Sequence, residues 1–154
     1  MKPRTTIRVE TALIRHLQEL YEIESRCFDE EAFTKDQIAA LLTGYSSVSL
    51  IALSSDVIIG FIIGSIYFKR NSLMGHVFTI DVLPDHRRKG VGTLLLQELE
   101  KLFKAKGAHA CTLEVREDNV AAIDLYRKLG YKILSKLRNY YGSIHGIRLR
   151  KILF

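Results

Sequence analysis

The sequence has no long apolar segment. Its longest mainly apolar run spans residues 57–68, twelve positions interrupted by Gly60 and Gly64. A helix that crosses a bilayer needs about 20 apolar residues, so this run indicates a buried strand, and no membrane partner is expected. Arginines interrupt the first 17 residues, where a signal peptide would carry an unbroken apolar region, and this predicts a protein without a secretory leader.

Cysteine is also scarce, with only Cys27 and Cys111 among 154 residues. Two thiols so far apart in sequence fit no metal-ligand spacing and make no disulfide framework, so no metal is expected. Free cysteine is usually buried, and we expect two unpaired thiols in a cytoplasmic protein. Linkers, repeats and low-complexity segments are missing too, which together with the length predicts a single domain over residues 1–154.

Charge is unevenly distributed along the chain. The net charge is +6, but residues 1–84 carry −2 and residues 85–154 carry +8. Seven acidic residues fall within 19–36, whereas from Arg127 onward there are eight basic residues and no acidic one. Each run alone is typical of a solvated face. Their pairing also fits a protein that receives a cation at one end and a polyanion at the other.

Hydrophobic periodicity predicts a mixed α/β domain with the element order β-α-α-β-β-β-α-β-α-β-β. Thr34 with Gln37 forms a capping box, and Gly44, Gly107 and Gly130 are predicted to end helices. In the helix at 91–106, Leu95, Leu99, Leu102 and Phe103 are predicted to share one apolar face. The predicted strands cover residues 6–11, 48–53, 57–68, 75–84, 110–115, 131–141 and 146–154, and the predicted helices cover 13–28, 34–44, 91–106 and 119–130.

The segment 87–92 reads R-x-x-G-x-G between a predicted strand and a predicted helix. The start of a helix offers free backbone N–H groups and partial positive charge, glycines allow a close backbone approach, and Arg87, Arg88 and Lys89 add cations. A plain turn remains the alternative. The P-loop motif is absent and G-x-G-x-x-G lacks its third glycine, so the pattern predicts a diphosphate carried by neither ATP in a P-loop nor a nicotinamide dinucleotide.

This segment, followed by L-E-V-R at 113–116 and N-x-x-A-x-x-L-Y-x-x-L-G-Y at 119–131, resembles the GCN5-related N-acetyltransferase (GNAT) superfamily. The resemblance covers essentially the whole chain and is closest to the ribosomal-protein-alanine and other protein N-terminal acetyltransferases. It implies one α/β (α+β) domain with a mixed, mostly antiparallel seven-stranded sheet and about four helices. It also implies acetyl-CoA as co-substrate.

The resemblance implies the site residues as well. The residues implied for acetyl-CoA are the strand end Ile80, Asp81 and Val82, the loop Arg87, Arg88, Lys89, Gly90, Val91, Gly92 and Thr93, and Asn119. Glu114 matches the general base and Tyr126 the proton donor, although a surface acid and a core aromatic are the structural alternatives. Phe28, Tyr140 and Tyr141 match the peptide slot, where alternating strand aromatics are the alternative. The chain departs from its relatives at Asp81, where a small or apolar residue is common, and in its basic C-terminal segment.

These expectations favour an acetyl-CoA-dependent enzyme that acetylates the N-terminal α-amine of proteins, with ribosomal proteins as possible substrates. A lysine or small-amine acetyltransferase is the alternative within the superfamily. A ribosome- or RNA-binding module is the alternative outside it, although no basic stripe with interleaved aromatics supports direct nucleic-acid binding. The protein is expected to be a monomer or a homodimer.

Overall fold

The computed structural model describes residues 6–154. Residues 1–5, which the sequence analysis included in the domain and in the segment predicted to lack a secretory leader, lie outside the described residues. Residues 6–154 form seven strands and four α-helices, which confirms the predicted order of elements. The strands are β1 (Ile7–Thr11), β2 (Ser47–Ser54), β3 (Val57–Lys69), β4 (Ser72–Val82), β5 (Ala110–Arg116), β6 (Lys132–Tyr141) and β7 (Ile144–Ile152). The helices are α1 (Leu17–Cys27), α2 (Lys35–Thr43), α3 (Val91–Ala105) and α4 (Val120–Lys128). None of these helices is both long enough and apolar enough to span a bilayer.

The strands form one mixed sheet in the order β1-β2-β3-β4-β5-β7-β6. All neighbours are antiparallel except β4 and β5, which run parallel. This parallel contact is short, because it joins only Gly75, His76 and Val77 to Cys111, Thr112 and Leu113. Beyond Val77 the two strands separate, and the sheet opens into a cleft between them.

A bulge in β4 sets which side chains face each side of this cleft. In the β3–β4 register Ile63 pairs with Thr79 and Gly64 pairs with Val77, so Phe78 is the extra residue. The bulge moves Thr79 to the opposite side of the sheet from Val77: Val77 packs in the core under α3, whereas Thr79 bonds to α1. The outer part of β4 therefore presents polar side chains to α1 that strict alternation would turn away.

Helix α3 covers one face of the sheet through Leu95, Leu99 and Phe103, all fully buried. It approaches β4 closely at Gly75, where an added Cβ would lie 2.3 Å from Phe103 Cδ2. Leu102 was wrongly predicted to share the buried face, since it is 37% exposed. On the opposite face, α1 and α2 cover a second core that includes Leu20, Ile38 and Phe61.

Local capping decides where the helices begin. The predicted box at the start of α2 is present: Gln37 N donates to Thr34 Oγ1 (3.2 Å) and Thr34 N donates to Gln37 Oε1 (2.9 Å). The α1 prediction began four residues too early, because Leu13 N donates to the His16 ring nitrogen Nδ1 and residues Ile14–His16 form a short 3₁₀ turn.

Candidate active site

A cavity of about 620 Å³ lies in the cleft where β4 and β5 separate. It is bounded by the outer half of β4, the end of β5, the start of α3, helix α4, the α1–α2 loop and the end of β6. Of the sixteen predicted site residues, twelve line it: Phe28, Ile80, Asp81, Val82, Arg87, Gly92, Thr93, Glu114, Asn119, Tyr126, Tyr140 and Tyr141. The other four residues lie beside the cavity: the turn before α3 contains Arg88, Lys89 and Gly90, and Val91 is the first residue of that helix.

The turn before α3 leaves the start of this helix open. Arg88 and Gly90 adopt left-handed φ angles of 61° and 80°, and no side chain caps the helix at Gly90. No acidic residue occupies the first turn. The N–H groups of that turn have no partner within the helix and carry its positive dipole end, so they can receive an anion. Gly92 and Thr93 of this first turn also line the cavity. An anionic group bound at the helix start can therefore belong to the same ligand that fills the cavity.

The other predicted cofactor-binding residues also line the cavity, from β4, from the turn before α3 and from the start of α4. Beyond Val77, β4 pairs with β3 on one edge only, so residues Ile80 to Val82 expose the opposite backbone edge to the cavity. An extended ligand can add along such an edge as a strand would. Arg87 Nε donates to the Val82 carbonyl oxygen (3.0 Å), so this cation is anchored to the strand end. Asn119 Oδ1 accepts from Ala122 N (3.2 Å), which leaves its amide NH₂ free to act as a donor.

Glu114 lies between two basic side chains that the sequence analysis missed. His76 Nε2 and Glu114 Oε2 are 2.6 Å apart, and Arg148 Nε donates to Glu114 Oε1 (3.0 Å). Burial alone would raise the pKa of Glu114, but the hydrogen bonds and positive charges of His76 and Arg148 outweigh burial and lower that pKa. Glu114 is therefore an ionised carboxylate with both oxygens engaged, and not the surface acid that was the alternative.

Strand pairing brings these three residues together. Glu114 and Arg148 are direct cross-strand partners in the β5–β7 register, and His76 lies on β4 beside β5. They are separated by 34 and 38 residues from Glu114 in sequence, with no local spacing that marks them. The sequence signal for Arg148 was its position in the basic C-terminal strand, which indicated a basic rim but no contact with Glu114.

Tyr126 lies on α4, lines the cavity and is only 9% exposed. Burial, with a further contribution from the nearby Asp81 carboxyl group, raises its pKa to about 12. The phenol therefore keeps its proton at neutral pH. It also packs edge-on against Tyr131 (6.0 Å between ring centres), so the residue is part of the core and of the cavity wall at once.

The three residues predicted for a peptide slot line the cavity from two segments, the α1–α2 loop and the end of β6. Tyr140 and Tyr141 pack edge to face, with ring centres 4.9 Å apart, and both line the cavity although Tyr140 is half exposed. Phe28 lines it from the α1–α2 loop. An ion pair between Glu31 of that loop and Arg116 at the end of β5 fixes the loop across the cavity. Burial and the Glu114 charge raise the pKa of Tyr140, which agrees with a position close to that carboxylate.

Sequence comparison relates this chain to a known family. Residues 17–131 match the sequence profile of the family described as "Acetyltransferase (GNAT) family". An N-alpha-acetyltransferase of Sulfurisphaera tokodaii is 49% identical over 70 residues, which make up 45% of this chain and 42% of that protein. The chain thus spans about half the length of the curated relatives it matches.

Two solved structures share the complete fold. The crystal structure of the ribosomal-protein-S18-alanine N-acetyltransferase from Escherichia coli is 25% identical, with a TM-score of 0.87 and coverage of 96% of this chain and 94% of that one. Arabidopsis thaliana NAA60 in complex with acetyl-CoA is 19% identical, with a TM-score of 0.86 and coverage of 96% and 98%. Because the family profile spans most of the chain and the fold agrees throughout, the chain belongs to the acetyltransferase (GNAT) family.

Proposed function

We propose that this protein is an acetyl-CoA-dependent N-acetyltransferase that acetylates the N-terminal α-amine of proteins. The observation that carries the proposal is the cavity, which joins an uncapped helix start, the partly buried Glu114 carboxylate, a buried phenol and an aromatic cluster in one continuous space. The relatedness to an N-alpha-acetyltransferase and to a ribosomal-protein-alanine acetyltransferase supports it. Ribosomal proteins are accordingly among the proposed substrates. The two unpaired thiols are in keeping with a cytoplasmic site of action.

The residues around the cavity fit acetyl-CoA. The first-turn N–H groups of α3, flanked by Arg88 and Lys89, would hold its pyrophosphate, and the open β4 edge from Ile80 to Val82 would pair with its extended arm. When bound, acetyl-CoA supplies a thioester as the acetyl donor.

The amine chemistry suits one modest base. An α-amine with a pKa of about 8 is roughly 10% neutral at pH 7, so removal of its proton costs about 1 kcal/mol. A lysine, with a pKa of about 10.4, would need about 4.6 kcal/mol. A single carboxylate-based group is sufficient for the first case and a poor match for the second. This difference favours the α-amine over a lysine side chain.

In the proposed mechanism His76 and Glu114 work as a pair. With Nε2 of His76 donating to Glu114, its other ring nitrogen Nδ1 is an acceptor that can take the amine proton, directly or through a water. Glu114 then stabilises the imidazolium, as a buried carboxylate does in other His-carboxylate pairs. Arg148 holds the second oxygen of Glu114 and so fixes the orientation of the pair.

Tyr126 serves as the proposed acid. Its pKa, raised to about 12, keeps the proton on Oη at neutral pH, so the phenol can supply it to the departing sulfur. The His76–Glu114 pair and Tyr126 therefore divide the two proton transfers, because the ionised Glu114 supports His76 as the base and Tyr126 is held protonated.

The test is a CoA-release assay with acetyl-CoA and short peptides. The panel carries free Met-, Ala-, Ser- and Met-Glu N-termini, together with an Nα-blocked peptide that contains lysine. We expect turnover on free N-termini and none on the blocked peptide. The Glu114→Gln variant should lose about 10²- to 10⁴-fold in kcat/KM while it still binds acetyl-CoA. Turnover on the blocked peptide alone would reassign the protein to lysine side chains, and no turnover on any peptide despite acetyl-CoA binding would reject peptide substrates.

A further inference from the structure

A second acidic group borders the cavity, separate from the His76–Glu114 pair. Glu24 of α1 and Thr79 and Asp81 of β4 all line the cavity, yet they are only 1%, 7% and 1% exposed. Their side chains are thus almost completely shielded from bulk water where they border the cavity. Thr79 is the bridge: its Oγ1 lies 2.9 Å from Glu24 Oε1 and 2.6 Å from Asp81 Oδ1.

The number of hydrogens available between Glu24, Thr79 and Asp81 indicates which carboxyl group is protonated. A hydroxyl carries one hydrogen, so Thr79 can donate to only one of the two carboxyl groups and must accept from the other. Glu24 already accepts at its second oxygen, from the Phe33 backbone N–H (3.0 Å). Burial and the neighbouring Glu24 charge raise the pKa of Asp81 well above its usual range. The consistent chain is thus Asp81 O–H to Thr79 Oγ1, and Thr79 O–H to the Glu24 carboxylate.

This assignment leaves one acceptor empty. Asp81 Oδ2 is then a carbonyl oxygen, and it has no hydrogen-bond partner although it is fully buried. A buried acceptor without a donor costs on the order of 1–3 kcal/mol, so such atoms in native proteins usually have an occupant. A partner for this atom must be small, because Asp81 Oδ2 has almost no accessible surface, and it must carry an O–H or N–H donor.

The group is tied to the predicted peptide slot. Glu24 bonds to Phe33, in the same α1–α2 loop that carries Phe28. Asp81 is also close enough to Tyr126 for its charge to raise the phenol's pKa, so the group adjoins the proposed reaction centre. The first side chain of a peptide whose amine reacts near Tyr126 lies within a few ångströms of that centre. A hydroxyl on that side chain has the size and the donor that Asp81 Oδ2 lacks.

We propose that Asp81 is a specificity-determining residue whose Oδ2 accepts a hydrogen bond from the hydroxyl of an N-terminal serine or threonine. The inference rests on the proposed function, since it names the first-residue preference of the same site. It assigns Glu24 and Thr79 as positioning residues, because they hold the Asp81 carboxyl group protonated and oriented.

The test compares peptides that differ only at the first residue: Thr against Val, which have similar shapes, and Ser against Ala. The kcat/KM ratio within each pair is measured for the wild type, Asp81→Ala, Asp81→Asn and the control Asp36→Asn, whose residue is exposed on α2 away from the cavity. In the wild type, Thr should exceed Val by roughly tenfold. Asp81→Ala should bring the ratio to about one. Asp81→Asn mimics the protonated acid, since its amide can donate to Thr79 and leave an oxygen free, and should keep the ratio.

Each contrary result has its own meaning. A wild-type ratio near one, or a ratio unchanged in Asp81→Ala, would overturn the proposal, and the first needs no variant to fold. Loss of turnover on both peptides in Asp81→Asn would also overturn it, because an ionised carboxylate would then be required. An effect confined to the KM for acetyl-CoA would place the donor on the acyl donor instead. No turnover on any peptide would reject the proposed function itself, and the specificity with it.

Discussion

Asp81 offers a stability measurement that needs no substrate. This carboxyl group is 1% exposed, and its pKa is raised well above the ordinary 3.8 by burial and by Glu24. The folded protein therefore holds a proton on Asp81 at pH values where the unfolded chain has released it. Stability that is fully present below about pH 4 is then lost as the pH rises toward the raised pKa of the folded state. Asn at this position carries no such penalty.

The size of the effect follows from the linkage relation. In the range where Asp81 is protonated in the folded state and ionised in the unfolded state, each pH unit costs the wild type about 1.36 kcal/mol. The free-energy difference between Asp81→Asn and wild type should therefore move in favour of the variant by about that amount per unit above pH 4. For a chain of this length, each kcal/mol corresponds to about 2–4 °C in Tm.

Thermal unfolding followed by circular dichroism between pH 4 and pH 7 measures this difference. The Asp36→Asn variant provides the control, because it removes the same kind of charge from an exposed position at the start of α2. Its Tm should follow the wild type across the range, whereas the Tm advantage of Asp81→Asn should grow with pH. A difference that stays constant or shrinks from pH 4 to pH 7 would refute the protonated assignment of Asp81.

Variants at three further positions test the rest of the site. In Arg148→Ala, the loss of one of the two cations that oppose burial should raise the pKa of Glu114. Protonation of Glu114 removes the negative charge that supports His76 as the base, so the acid limb of the kcat/KM profile should move to higher pH, and Arg148→Lys should partly restore it. Tyr126→Phe should lower kcat by about 10²-fold with acetyl-CoA affinity unchanged, as single-turnover kinetics and calorimetry would measure. Gly90→Ala meets no neighbour within 4 Å but keeps φ at 80°, so it should cost about 1 kcal/mol, or about 2–4 °C in Tm, and Gly90→Asn should recover part of it.

Features with a local signal could be predicted from the sequence. The Thr34 capping box and the helix start after Gly90 each depend on residues within a few positions of one another. The order of seven strands and four helices likewise follows from periodicity and turn residues. The start of α1 could not be predicted from periodicity, because the His16 ring accepts a hydrogen bond from Leu13 N and residues 14–16 form a 3₁₀ turn there.

Contacts that depend on strand register could not be predicted in this way. His76 and Arg148 reach Glu114 only because β4 and β7 lie on either side of β5, and no sequence spacing records that arrangement. The position of Asp81 depends on the Phe78 bulge, since one residue more in β4 decides whether a side chain turns toward α1 or toward α3. Asp81, the position at which the chain departs from its relatives, is thus buried against α1.

The two carboxyl groups of the cleft are held in opposite states by the structure around them. Glu114 is kept ionised by His76 and Arg148, whereas Asp81 is kept protonated by burial and by Glu24. Environments that separate two pKa values in one site usually separate two tasks. An ionised group orients a base and stabilises the positive charge that forms on it. A neutral acid adds hydrogen-bonding capacity without a charge beside the phenol, since the charge of an ionised Asp81 is one cause of the raised pKa of Tyr126 and weakens Tyr126 as an acid. On this reasoning the protonation of Asp81 serves proton transfer from Tyr126 as well as recognition, so a variant that keeps position 81 neutral should preserve kcat.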